Sequence, residues 1–345
     1  MKAAFLEELG SLTVRQVPDP QIGPYEALCE LLYGATCSGT DLHLIEGRVR
    51  WAIDCAPTII GHESVGRVVA VGPKVRNFKV GDLVSRVGAP PAADGSYHST
   101  WGGFASMGVA KDHWVMAEDG LPREQWDMNR VNQVIPPDFD PRACAMLTTW
   151  RETLSCITRM GVSPGSRVLI LGSGGVGLAF SAHAANLGAA EIVMTGNPAR
   201  AQLALRAGAA AHLDYKAPDH ADRLAHAAGN GFHYVIDAVG SQASINLALA
   251  AVAVGGSLAV YGIGEFGKTT VDPSLARGEF TKCDGGYDEA ETHDRVVTLM
   301  RAGKLDATIW LDLENPFQLD EINAAFDAVR RRDCVKALVK LSGHA

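Results

Sequence analysis

The sequence predicts an α/β fold: a doubly wound parallel sheet in the second half of the chain, preceded by a compact β-rich domain. Two observations carry this. Between residues 168 and 261, short apolar runs alternate with helical stretches, and strands buried on both faces of a parallel sheet are apolar in this way. Before residue 140 the chain is instead cut by Gly and Pro into short runs with little helix, which suggests a compact β domain.

In the β-rich part, residues 12–17 alternate and 26–32 form an apolar run. Residues 63–71 follow a Gly61-His62 turn, and 83–87 follow a turn at Gly81-Asp82. Residues 89–103, rich in Pro, Ala, Gly and Ser, read as a loop. After Pro141 comes a helix over 144–161. Strands are expected at 168–171, 192–195, 211–214, 234–238 and 258–261, with helices over 178–187, 198–207, 218–228 and 245–252 between them. From about residue 287 the chain returns to helix (292–302) and closes on a strand-like run at 337–341, expected to rejoin the first domain.

The first parallel strand leads into Gly172-Ser173-Gly174-Gly175-Val176-Gly177. Gly172 permits a tight turn, Gly174 lets the backbone approach a pyrophosphate, and Gly177 lets the helix pack close to the strand. The helix N-terminus then offers free amides to phosphates. A strand before and a helix after make this a dinucleotide-binding turn rather than an ordinary glycine-rich loop.

At 345 residues, formal charge -8 and pI near 5.8, the chain offers no bulk basic surface for nucleic acid or acidic membranes. Its seven cysteines are dispersed, odd in number and without a Cys-x-x-Cys pair, which suits reduced thiols and a cytoplasmic protein. The first residues meet acid too early for a signal peptide, and no apolar run reaches the length of a membrane span.

Taken together, Gly61-His62-Glu63-Ser64-Val65-Gly66, Val80-Gly81-Asp82-Leu83-Val84, Gly102-Gly103-Phe104-Ala105 and the glycine turn occur in an order that resembles the medium-chain dehydrogenase/reductase superfamily. The zinc-type alcohol and polyol (sorbitol-like) dehydrogenases are the nearest branch. The resemblance spans essentially the full chain. It implies a GroES-like catalytic domain over 1–147, completed by 287–345, and a Rossmann cofactor domain over 148–286. It also implies hydride transfer between a nicotinamide and an alcohol or carbonyl in a cleft between the domains, and a homodimer or homotetramer paired through residues 265–284.

By the same resemblance, one catalytic zinc sits on Cys37, His62 and Glu63, a thiolate, imidazole and carboxylate set suited to Zn2+. Counting forward from Glu26 gives Cys37 as the ligand, whereas counting back from Asp41 gives Ser38, as if one residue were inserted before Thr40. A further family ligand position falls near Thr148, a poor zinc ligand. Without a metal, Cys37 would be a small buried residue, His62 a turn histidine and Glu63 the partner of a nearby base. The 89–103 loop holds no cysteine, so no structural zinc is expected.

Thr40-Asp41-Leu42-His43 matches the family's relay segment. The Thr40 hydroxyl would contact the substrate oxygen and pass its proton by the nicotinamide ribose to His43, which can exchange it near neutral pH. Asp41 would orient His62. Without that role, Thr40 and Asp41 read as helix caps. NAD enzymes usually carry a carboxylate at the end of the second Rossmann strand, but here that position is Thr195 or Gly196. Thr195, Gly196, Asn197 and Arg200 could instead receive a 2′-phosphate, which favours NADP(H) over NAD(H). Val239 and Gly262 end the fourth and fifth strands, where the ribose and nicotinamide should pass.

For the substrate, Trp51, Tyr97, His98, Trp101 and Trp150 fall in segments the resemblance places near the cleft, although tryptophan more often packs a core. A secondary alcohol, polyol or cyclic sugar derivative is the expected small-molecule partner, with neither nucleic acid nor membrane. Two other readings remain at this level. One is a zinc-free NADPH-dependent reductase of an activated double bond or carbonyl; the other is a nucleotide-binding redox sensor without turnover.

Overall fold

A computed structural model describes residues 1–48, 55–284 and 286–343. The chain forms two compact units, 1–148 with 310–345 and 149–309. Among the described residues no helix is long and apolar enough to cross a membrane.

In the unit of residues 149–309, six parallel strands lie in the order Ala211–Asp214, Glu191–Gly196, Arg167–Leu171, Phe232–Asp237, Val252–Val260 and Thr281–Lys282. By sequence that is third, second, first, fourth, fifth, sixth. Strand order reverses between the first and fourth strands, where sheets of this kind bind ligands at their carboxyl ends. The apolar runs dictate the arrangement: Leu169, Leu171, Val235 and Leu258 meet one core with Ile245, Ala248 and Leu249 of the helix Gln242–Ala251.

That helix begins three residues earlier than its apolar pattern. Ser241 caps it, its hydroxyl accepting from the Ser244 amide while the Ser244 hydroxyl accepts from the Ser241 amide. The following strand starts at Val252 instead of 258, directly at the helix end, with a register shift before Tyr234 on its partner strand.

The return to the first unit falls at residue 310, whereas the sequence suggested 287. Polar anchors hold the intervening stretch within the second unit. Arg151 donates to Glu289 at 2.8 Å, both side chains buried, and the Thr292 hydroxyl donates to the Arg151 carbonyl at 2.9 Å. The helix His293–Arg301 also buries Val296 there.

The first unit has two sheets. The smaller orders Thr13–Gln16, Lys2–Leu6, Thr58–Ile59 and His98–Ser99, so the 89–103 segment carries a short strand. In the larger, Glu26–Ala35 pairs with Glu63–Val71 on one side and with Leu338–Lys340 and Met107–Lys111 on the other. A helix not anticipated from sequence, Ile322–Arg331, lays Ile322, Ala325, Phe326 and Val329 on the core at helical spacing. The Phe326 ring meets Phe104 edge-on, with centroids 5.8 Å apart.

Candidate metal and cofactor sites

Sheet register builds the first site. Ala35 at the end of one strand pairs with Glu63 at the start of its neighbour, which sets Cys37 opposite His62 and Glu63. The Cys37, His62 and Glu63 ligand atoms all lie within 4.8 Å of one another. Cys37 lies two residues beyond the end of the paired strand, on the stretch that leads to Thr40. There the Cys37 amide donates to Asp41 Oδ2 at 2.9 Å, closing the turn.

Thr40 and Asp41 are the first two residues of the helix Thr40–Ile45, whose cap is Gly39 with no side-chain cap bond, so neither acts as a cap. Asp41, fully buried, sets Oδ1 3.2 Å from His62 Nδ1. Burial would depress the His62 imidazole, but Asp41 and then Cys37 outweigh it and hold it well above the ordinary histidine range. Thr148 donates its hydroxyl to the His62 carbonyl oxygen at 3.3 Å, bracing the His62 backbone. His43 is only 7 % exposed, and burial followed by the Arg48 charge lowers its pKa against the pull of Glu46.

Lys336 was not visible as a site residue. Its ammonium donates to both Glu63 carboxylate oxygens at 2.6 Å and to the Thr36 carbonyl at 3.2 Å, and it is buried. Burial opposes its charge, but Glu63, Cys37 and Asp41 outweigh that and keep it above the usual lysine range. The only hint in the sequence was a buried carboxylate that needs a base. Asp41 and Glu63 thus bring two carboxylates, and Cys37 a sulfur, around one buried lysine. Sulfur, imidazole and carboxylate donors so gathered fit a zinc ion.

The glycine turn shows why each residue is small. Gly172 has φ +104°, and a Cβ at Gly177 would sit 1.8 Å from the Gly172 carbonyl oxygen. A Cβ at Gly174 would meet no described atom within 4 Å, leaving open space before the helix Gly175–Asn186, whose first residues are Gly175, Val176 and Gly177. Val239 and Gly262 close the neighbouring strand ends. Val239 donates its amide to Asp237 Oδ1 at 2.9 Å, and a Cβ at Gly262 would lie 2.2 Å from the Val239 carbonyl carbon.

At the end of the second strand, Thr195 is buried and its hydroxyl lies 2.6 Å from His220 Nε2, a partner the sequence did not suggest. A Cβ at Gly196 would collide with Ser173 Oγ at 2.1 Å. The Asn197 amide donates to that same Oγ at 2.9 Å, and the Arg200 guanidinium donates to the Ser173 carbonyl at 3.2 Å. The Tyr215 amide donates to the Gly196 carbonyl at 3.2 Å, and Lys216 Nζ stands 5.6 Å from the Tyr215 ring centroid.

Of the aromatic candidates, Trp101 alone among the described residues is placed at the metal cluster, its ring 5.2 Å from that of His62. Tyr97 packs edge-on against Phe5, His98 lies in the strand His98–Ser99, and Trp150 is fully buried in the other unit. Trp51 lies outside the described residues.

Residues 23–122 match the alcohol dehydrogenase GroES-like domain, and residues 175–281 match the zinc-binding dehydrogenase domain. A probable zinc-binding alcohol dehydrogenase of Mycobacterium tuberculosis is 31 % identical over 76 % of this chain and 68 % of its own. The L-galactonate-5-dehydrogenase of Escherichia coli is 26 % identical over 94 % of each chain. Among solved structures, a putative zinc-binding dehydrogenase from Sinorhizobium meliloti bound to NADP superposes with a TM-score of 0.77 at 25 % identity, covering 98 % of both chains. The chain belongs to the zinc-type alcohol and polyol dehydrogenases of the medium-chain dehydrogenase/reductase superfamily.

Proposed function

We propose that this dehydrogenase interconverts a secondary alcohol, polyol or cyclic sugar derivative with its ketone, using NADP(H) in preference to NAD(H) and one zinc ion. The observation that carries the reading is the gathering of Cys37, His62 and Glu63 within 4.8 Å, backed by Asp41, in a chain that also bears the glycine turn. When bound, zinc supplies a Lewis acid to the substrate oxygen, and the nicotinamide gives or takes the hydride.

The chain's own residues do the rest. Cys37, His62 and Glu63 hold the ion, and Asp41 keeps the His62 ring oriented, while Lys336 and Thr148 fix Glu63 and the His62 backbone. At the start of its helix, Thr40 takes the proton of the substrate hydroxyl. His43, held neutral by burial, is its acceptor further along the relay. The 2′-phosphate preference is supported by Thr195 and Gly196 standing where a ribose-binding carboxylate would be, with Asn197 and Arg200 following in sequence and the Tyr215 amide bonded to the Gly196 carbonyl.

A second reading, zinc-free reduction of an activated double bond or carbonyl, draws on Lys336 engaging both oxygens of Glu63. Elemental analysis of wild type, Cys37→Ala and His62→Ala separates the two. About one zinc per chain in wild type, lost in both variants together with alcohol oxidation, supports the first. A zinc-free enzyme that still consumes NADPH supports the second. The all-free cysteines suit a reducing, cytoplasmic setting. Self-association through residues 265–284, where the sheet ends at Thr281–Lys282 and Phe266 and Leu275 are exposed, is checked by sedimentation.

A further inference from the structure

We propose that Trp101 is a specificity-determining wall beside the metal cluster, selecting substrates whose reacting carbon lies in a ring or next to one. This rests on the dehydrogenase reading above. The indole lies with its centroid 5.2 Å from the His62 ring, the planes inclined at 56°. Its backbone is in the left-handed region, φ +67°, where a bulky side chain is rare and strained.

The surrounding chain imposes that conformation. On one side, the Thr100 amide donates to the Ile59 carbonyl at 2.8 Å and its hydroxyl meets Thr58 Oγ1 at 2.9 Å. On the other, the Ala89 amide donates to the Gly102 carbonyl at 2.9 Å, and the Gly103 amide donates to the Gly61 carbonyl at 2.7 Å, one residue before His62. The Trp101 carbonyl itself rests where a Cβ at Gly88 would be, 1.7 Å away. The loop is thus stapled to the His62 turn, which fixes the Trp101 backbone beside it.

Core packing does not account for this placement. Trp150 and Trp310 are buried to 0 % and 2 % exposure, whereas Trp101 keeps 37 % of its surface open. An indole carried on this anchored backbone, packed beside the His62 ring and still partly exposed, presents a flat apolar face. A saturated or aromatic ring stacks on such a face through dispersion over its whole area, and an open chain covers far less of it.

The test compares cyclohexanol and 1-phenylethanol with the acyclic 2-hexanol, using the full chain as wild type, Trp101→Phe and Trp101→Ala, with kcat and KM read separately. Trp101→Ala is expected to raise the KM of the ring alcohols by about three- to tenfold relative to that of 2-hexanol in the same variant, and Trp101→Phe to retain most of the selectivity. A loss confined to cyclohexanol assigns a saturated ring, and one confined to 1-phenylethanol an arene. An unchanged ratio of ring to acyclic KM overturns the proposal. A second readout is tryptophan fluorescence without cofactor: cyclohexanol should perturb the wild-type emission, and Trp101→Phe should abolish the change. If wild type oxidises no alcohol but this change is present, the dehydrogenase reading fails and the wall stands. If the change is missing as well, both fail.

Discussion

Lys336 Nζ lies 2.6 Å from both carboxylate oxygens of Glu63, and the two side chains are buried together at 3 % exposure each. Removing one member of a buried pair leaves the other charge unpaired, at a cost of about 3–5 kcal/mol. Lys336→Met is therefore expected to lower the melting temperature sharply. Because the freed Glu63 becomes a better cation ligand, added zinc should stabilise Lys336→Met more than wild type. Thermal melts with zinc and with a chelator check this; equal zinc responses would show that Lys336 does not compete with a metal for Glu63.

Asp41 touches both the Cys37 backbone and the His62 ring, so its carboxylate governs two ligands at once. Asp41→Ala should weaken zinc binding by about 10- to 100-fold, the usual loss when the group orienting a ligating histidine is removed. Competition against a chromophoric chelator measures it directly. Affinity as in wild type would leave Asp41 a role in the turn alone.

The contrast between Asp41 and Lys336 shows how far the sequence could be read. Asp41 lies in the Thr40-Asp41-Leu42-His43 segment, so the family resemblance pointed to it. Lys336 lies 273 residues from Glu63, and only the antiparallel pairing of Leu338 with Ala35 brings it in. The parallel sheet and glycine turn were legible because apolar runs and small residues are local signals. The return at residue 310 was not, because the buried Arg151–Glu289 pair that holds 287–309 in the second unit is a tertiary contact. Thr195 was legible as the absence of a carboxylate, but its bond to His220 was not, since 25 residues separate them.

His183 is fully buried with Nε2 2.9 Å from the Trp150 carbonyl, and burial lowers its pKa to about 3. Burial likewise lowers His113, with opposing help from Asp112, to about 4. Both folded values lie below the unfolded value of about 6.5, so the unfolded chain takes up protons first. Stability is therefore complete above about pH 6.5 and falls as the pH drops toward the folded values. At about 1.4 kcal/mol per pH unit, His183 alone should remove about 2 kcal/mol between pH 6.5 and 5. Urea melts of wild type and His183→Gln check this: the variant should lose less stability over that interval, and parallel pH dependence would contradict the assignment.

Arg332 ends the helix Ile322–Arg331 in the left-handed conformation, φ +67°, which glycine adopts without strain. Arg332→Gly should stabilise the first unit by about 0.5–1 kcal/mol, provided the lost side-chain contacts are worth less than the relieved strain. Denaturant melts give the sign, and a destabilised variant would show that the arginine's contacts outweigh its backbone strain.

Gly174 and Gly177 belong to one motif but should respond oppositely to the same change. A Cβ at Gly177 would lie 1.8 Å from the Gly172 carbonyl oxygen, so Gly177→Ala must push the helix off the strand and cost folding stability. A Cβ at Gly174 meets no described atom within 4 Å, and its backbone, φ -81° and ψ -175°, suits any residue. Gly174→Ala should therefore melt like wild type. The space it fills is where a pyrophosphate would approach the helix amides, so its cofactor affinity should fall by about tenfold or more. Thermal melts and NADPH titration by fluorescence separate the two losses. If Gly174→Ala bound NADPH as wild type does, the phosphates would have to lie elsewhere along the helix start, and Gly174 would serve the turn alone.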